Sequence, residues 1–215
     1  MKHILKDDEA ETFRDWKSLA NDDWQPDYDI MPGDIKQPLK QALMKEQGGI
    51  CCYCESRLIE DDSHVEHFYP QHHYPERALD YDNLLCSCLN QLETGAPRHC
   101  GNLKDNWFYD DLLISPLEPG CEQRFAYDGQ GKIRPRIPDD LPAQTTITKL
   151  GLDIPKLNEL RAKAIEPFLD DSLDNAAFTQ FVTGYLRPNS NGWFNEFHTT
   201  IAYLFTQEKM DISVD

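Results

Sequence analysis

Apolar residues along the chain change period three times, and each change marks a different kind of element. From Asp34 onward Ile35, Leu39, Leu43 and Met44 recur at near-helical spacing before Gly48-Gly49. That spacing predicts a helix stopped by the glycines. Between Ile50 and Asn106 the helical period disappears and short strands alternate with polar loops rich in His, Cys, Pro and Asn. Phe125-Ala126-Tyr127 and Lys132-Ile133-Arg134 flank Asp128-Gly129-Gln130-Gly131, the pattern of a β-hairpin. After Pro142 the helical period returns. Leu157, Leu160, Ala164, Ile165 and Phe168 form one stripe, with Asp153 the predicted cap of a helix opened by Pro155. Two further helices are predicted around Phe178, Phe181, Val182 and Tyr185 and around Trp193, Phe194, Phe197, Ile201 and Leu204, separated by a Pro188–Gly192 loop. The first 33 residues are acidic, carry Trp16 and Trp24, and read as a segment that wraps the body. The predicted organisation is therefore 1–33, a central 34–142 and a helical 143–215.

The middle segment has too few apolar residues to hold itself together, which directs attention to its cysteines. Of the seven in the chain, six lie between positions 51 and 100, and Cys121 stands apart as a plain thiol. An odd number, tight clustering and no signal-like apolar stretch at the N-terminus favour metal ligation in a reducing compartment over disulfides. The expected location is the cytoplasm, and no apolar run approaches the ~18–20 residues of a membrane span. Cys51-x-x-Cys54 is the first half of a structural zinc site, because such a turn presents two thiolates from one knuckle. Cys52 would point away. The second half comes from among Cys86, Cys88 and Cys100, the competing reading being a set of buried free thiols.

Between the cysteines lies His64-Val65-Glu66-His67-Phe68-Tyr69-Pro70. A carboxylate that binds a hard divalent cation beside an imidazole that deprotonates water is the equipment for phosphodiester hydrolysis. Strand alternation would separate Glu66 from His67 unless the strand ends there. His64 shares the parity of Glu66 and either helps hold the ion or supports the hairpin, whereas His72 and His73 read as solvated side chains.

Taken together, C-x-x-C, Glu66-His67-x-x-Pro70, Asn83-Leu84-Leu85, Cys88 and Cys100-x-x-x-Lys104 resemble the HNH (ββα-metal, His-Me finger) endonuclease family. The resemblance implies an α+β fold: a zinc-stapled ββα-metal core flanked by an N-terminal helix and a C-terminal helical subdomain. It implies that His67 is the general base, that Glu66 is the acidic metal ligand, and that Asn83 pins the loop bearing the histidine. The family's second cysteine pair begins five residues after that Asn, which selects Cys88, with Cys100 displaced by an inserted loop from Leu89 to His99. The family's third polar residue follows the last cysteine, but here that position is Gly101. Asn102 is then the nominee for second ligand of a catalytic Mg²⁺ or Mn²⁺, with His99 and Asn90 as rivals.

A narrower similarity involves Gln47-Gly48-Gly49-Ile50-Cys51-Cys52-Tyr53-Cys54, Val65–Pro70, Tyr81–Leu85 and Thr146–Leu152. It points to the HNH subunit of Septu-type and retron-linked anti-phage systems. That similarity implies a companion ABC-type ATPase, a nucleic acid substrate (DNA, or transfer RNA as in some retron-linked relatives) and a homodimer within a larger complex. The net charge of −17 opposes stand-alone nucleic-acid binding, since affinity for phosphates comes largely from Lys and Arg. Local basicity from Arg57, Arg77, Arg98 and Lys104, the metals, or a partner would have to offset it, the partner foremost. A catalytically silent zinc-binding module that scaffolds a partner explains the acidity well and the Glu66-His67-Asn83 order poorly. A zinc peptidase would need the H-E-x-x-H spacing, which is absent.

Overall fold

A computed structural model of the chain describes residues 1–91, 94–169 and 172–206. The described elements are α1 (Glu11–Lys17), α2 (Gly33–Glu46), β1 (Ser63–His67), β2 (Leu84–Cys88), α3 (Cys100–Lys104), β3 (Phe125–Tyr127), β4 (Ile133–Pro135), α4 (Leu141–Lys149), α5 (Pro155–Ile165), α6 (Asn175–Leu186) and α7 (His198–Phe205). The architecture is mixed α and β with two separate two-stranded antiparallel sheets. The expected C-terminal region extends to 215, and its last nine residues, 207–215, lie outside the described ones.

α2 forms where the sequence pattern places it and buries Leu39, Leu43 and Met44. It stops because Gly48 and Gly49 take φ of +65° and +73°, letting their N–H groups turn back to the carbonyls of Lys45 and Met44. The chain then enters the cysteine knuckle, where Cys51 N–H bonds the Ser56 carbonyl at 2.9 Å. β1 and β2 pair in register from Ser63↔Cys88 to His67↔Leu84. β2 is buried along its whole length, covered by α2 on one part and by α3 on another.

One hydrophobic cluster runs from Met1, Phe13 and Trp16 through the knuckle and β2 to Leu150, Leu152 and Leu157. A second, smaller cluster holds Ile165, Phe168, Val182 and Ile201. Glu55, directly after the knuckle, ties the two regions: its carboxylate accepts from the backbone N–H and hydroxyl of Thr199 in α7 and pairs with the Met1 ammonium at 2.5 Å.

Three local expectations are corrected. Asp153 does not cap α5, whose N-cap is Ile154; its carboxylate accepts instead from Ile133 N–H and the Asn158 amide. Trp193 and Phe194 precede α7 rather than belonging to it. They pack where a Cβ on Gly49 or Gly48 would stand, 2.5 and 2.3 Å from their rings, and Phe194 N–H bonds the Gly48 carbonyl. Phe197 is buried, while Trp193 and Phe194 are half-buried against the glycine pair. In residues 1–33, α1 was not foreseen; it buries Phe13 and Trp16.

Candidate functional site

Cys51, Cys54, Cys88 and Cys100 converge, with all four sulfurs within 4.8 Å of one another and all four residues buried. Zn–S bonds of ~2.3 Å in a tetrahedron require sulfurs ~3.8 Å apart, and Cys54 Sγ stands 3.7 Å from Cys88 Sγ. The donor set therefore fits zinc in both chemistry and spacing. Thiol donors gathered around Cys54, Cys100 first among them, lower its pKa to about 6. Burial opposes ionisation of Cys51, yet hydrogen bonds from Cys100 and the neighbouring thiols bring its pKa well below the ordinary value. Cys86 lies outside the cluster, and burial pushes its thiol up to about 12. Cys52 is likewise buried and held protonated by desolvation. Cys121 is a core thiol, also raised by burial to about 12.

β1, β2 and α3 follow the cysteine knuckle in that order, and they present the acid-histidine pair. Glu66 is only 6 % exposed. Its Oε1 accepts from Tyr53 Oη at 3.1 Å and from Lys104 Nζ at 2.9 Å, while Oε2 faces His64 Nε2 at 3.6 Å. Burial would raise the Glu66 pKa, but the Lys104 ammonium and His64 outweigh it, so the carboxyl is ionised.

His67 is the last residue of β1 and faces a different set of neighbours. Its Nε2 lies 3.0 Å from the Ala78 carbonyl, and its ring meets that of Tyr28 edge-on at 4.4 Å. A carbonyl only accepts, so Nε2 carries the proton and Nδ1 keeps the lone pair. Burial lowers the His67 pKa, which keeps the imidazole neutral. The two side chains have different neighbours, but Lys104 links their positions: its ammonium also donates to the His67 carbonyl at 2.8 Å.

Asn83 is fully buried and stitches the long loop between the strands. Its Oδ1 accepts from Tyr69 N–H at 2.7 Å, and Nδ2 donates to the carbonyls of Tyr69 and Arg77 at 3.1 and 2.9 Å. On α3, Gly101 and Lys104 share one face, turned to Glu66. Asn102 lies off that face: its Nδ2 donates to the Leu89 carbonyl at 3.2 Å, and its buried Oδ1 has no partner among the described residues. His99 sits against the cysteine cluster, Nδ1 3.1 Å from Cys100 Sγ. Asn90 lines a cleft with His64.

Most of the basic residues expected at the site's face are already engaged with other groups of the protein. Arg57 donates to the carbonyls of Gly49 and Phe194, Arg77 stacks on Tyr69, and Lys104 is 2 % exposed; only Arg98 is in the open. Lys104 and Tyr53 as the carboxylate's partners, and Tyr28 against the histidine, were not assigned from sequence. The i+3 relation of Lys104 to Gly101 was the available signal. Among the described residues no helix is long and apolar enough to cross a membrane.

No protein-family model matches the chain. A protein named "Retron Vc95 putative HNH endonuclease" from Vibrio cholerae is 33% identical over 139 residues, covering 61% of this chain and 65% of that protein. The Septu protein PtuB of Bacillus thuringiensis is 33% identical over 86 residues, covering 39% of this chain and 30% of its own length. The chain thus spans slightly under two thirds of the first relative and under one third of the second. The resemblance to HNH endonucleases, and among them to retron- and Septu-associated proteins, is carried by these relatives as well as by the motifs: the chain is similar to this HNH group.

Proposed function

We propose that this chain is an HNH endonuclease that hydrolyses phosphodiester bonds in nucleic acid, DNA foremost and transfer RNA as the second substrate class. It would act as the effector subunit of a cytoplasmic anti-phage complex with an ABC-type ATPase, as a homodimer within that assembly. The observation that carries the reading is a neutral imidazole with its Nε2–H fixed on the Ala78 carbonyl, next in the chain to a buried, ionised carboxylate. In this reading β1, β2 and α3 are the ββα-metal core. His67 Nδ1 would take the proton of the attacking water, Glu66 would hold a divalent cation through Oε2, and Asn83 keeps the loop that carries Ala78 in register with the histidine. Mg²⁺ or Mn²⁺ at that carboxylate would screen the charge that develops on the phosphoryl oxygens. The four thiolates would hold a structural zinc behind the hairpin.

The test is cleavage of plasmid DNA and of transfer RNA with Mn²⁺, by the chain co-expressed with its ATPase neighbour. His67→Ala should lower the rate by at least ~10² with zinc content and circular dichroism unchanged; undiminished cleavage refutes the base assignment. One observation favours the second reading, a catalytically silent zinc module: Lys104 and Tyr53 already occupy Oε1 of Glu66. Metal-dependent cleavage that vanishes in His67→Ala excludes that alternative.

A further inference from the structure

Resting on the nuclease reading, we propose that His64 is a protein ligand of the catalytic divalent cation, filling the role that the sequence leaves empty at Gly101. His64 and Glu66 are two apart on β1, so their side chains leave the same face of the strand. Across from them stands α3, and a Cβ built on Gly101 would lie 2.2 Å from Glu66 Oε2 and 2.8 Å from His64 Nε2. The imidazole and the carboxylate therefore occupy the volume where a side chain following the last cysteine would reach the ion. Glycine at 101 is the complement of histidine at 64: either residue, but not both, can supply the donor.

The remaining geometry agrees. Glu66 Oε1 is taken by Lys104 and Tyr53, while Oε2 faces His64 Nε2 at 3.6 Å. At 3.6 Å apart, Glu66 Oε2 and His64 Nε2 are close enough that both would reach one divalent ion with bonds of ~2.1 Å. His64 also lines a cleft of about 610 Å³ that it shares with Tyr28, Lys36, Lys40 and Asn90, so the imidazole is reachable from solvent. Tyr28, which lines the same cleft, touches the ring of His67.

The test uses the full-length, zinc-loaded protein and Mn²⁺ alone, without nucleic acid. Mn²⁺ is a hard ion that does not compete for the thiolate cluster. Titration calorimetry should give one Mn²⁺ per chain, and pulsed electron paramagnetic resonance should show coupling to an imidazole nitrogen. His64→Ala should weaken binding at least tenfold and abolish the nitrogen coupling. His64→Gln, which keeps a neutral donor beside Glu66 and so supports the hairpin, should also lose the coupling. Asn102→Ala should change neither. The inference is overturned if His64 variants bind Mn²⁺ as the wild type does, if the coupling survives in them, if Asn102→Ala reproduces the loss, or if the wild type takes up no Mn²⁺. Cleavage that still requires His67 in any of those cases leaves the nuclease reading standing, so the two fail separately.

Discussion

Lys104→Met isolates the interaction that holds the proposed site together. Methionine keeps the aliphatic stem and removes the ammonium, which contacts Glu66 Oε1 at 2.9 Å and the His67 carbonyl at 2.8 Å. The carboxylate is then left buried with only Tyr53 and His64 as partners. Removing one member of a buried ion pair costs about 3–5 kcal/mol, since the orphaned charge cannot recover its hydration. That corresponds to two to nearly four decades in the unfolding constant at about 1.4 kcal/mol per decade. Urea unfolding at pH 7 with free zinc buffered measures it, because metal binding and folding are linked. The double variant Lys104→Met/Glu66→Gln, which no longer buries a charge, should recover at least about 2 kcal/mol of the loss. A single-variant loss below about 1 kcal/mol, or simple additivity in the cycle, would show that Lys104 is not the counter-charge of Glu66.

Other perturbations act on separate parts of the molecule. Cys100→Ser should abolish stoichiometric zinc and unfold the middle region, since a structural zinc contributes about 10–16 kcal/mol in apparent terms, comparable to a domain's whole stability; elemental analysis with circular dichroism reads this, and a zinc-free folded variant contradicts it. Asn83→Ala removes three hydrogen bonds from a buried amide and should cost about 3 kcal/mol, with faster hydrogen exchange confined to the loop between β1 and β2. His198 is held below the ordinary 6.5 by burial, so the unfolded chain binds the proton more readily and stability falls as pH drops through 6.5. His198→Gln should flatten that slope by up to about 1.4 kcal/mol per pH unit, and melts from pH 7 to pH 5 that run parallel to wild type refute it.

What could be read from the sequence was what local pattern or motif spacing determines. α2 announces itself through Leu39, Leu43 and Met44 and its two terminal glycines. The hairpin at Phe125–Pro135 is set by the Gly-containing turn, and the first half of the cysteine quartet by the C-x-x-C, whereas the choice of Cys88 and Cys100 rests on the family resemblance. Trp193 and Phe194 were misread because 193, 194, 197 and 201 fit a helical period, while the force that fixes them is the bare backbone of Gly48 and Gly49, distant in sequence. α1 escaped because it is seven residues long with two apolar positions, too short to show a period. Lys104 and Arg57 read from the sequence as local basicity at the site's face. Their partners, Glu66 and the carbonyls of Gly49 and Phe194, meet them only after the chain has folded.

The same commitments bear on the acidity. The chain holds 21 basic against 38 acidic residues, and several of the basic ones are already engaged. Arg161 is buried on the carbonyls of Gly131 and Leu152, Lys6 lies between Glu46 and the Leu84 carbonyl, and Arg124 is paired with Asp140. Even in the cleft beside His64, Lys40 is bonded to the carbonyls of Glu60 and Ser63, and Lys36 lies over the Tyr28 ring. These engaged cations are less available to release counterions from a phosphate backbone, which is the main source of sequence-independent affinity, and the acidic residues outnumber all the basic ones. On the proposed function, grip on the substrate must therefore come from the bound ion and from another protein's charge. On that reading, a partner that brings the nucleic acid to the site would make the acidity compatible with the proposed catalytic residues.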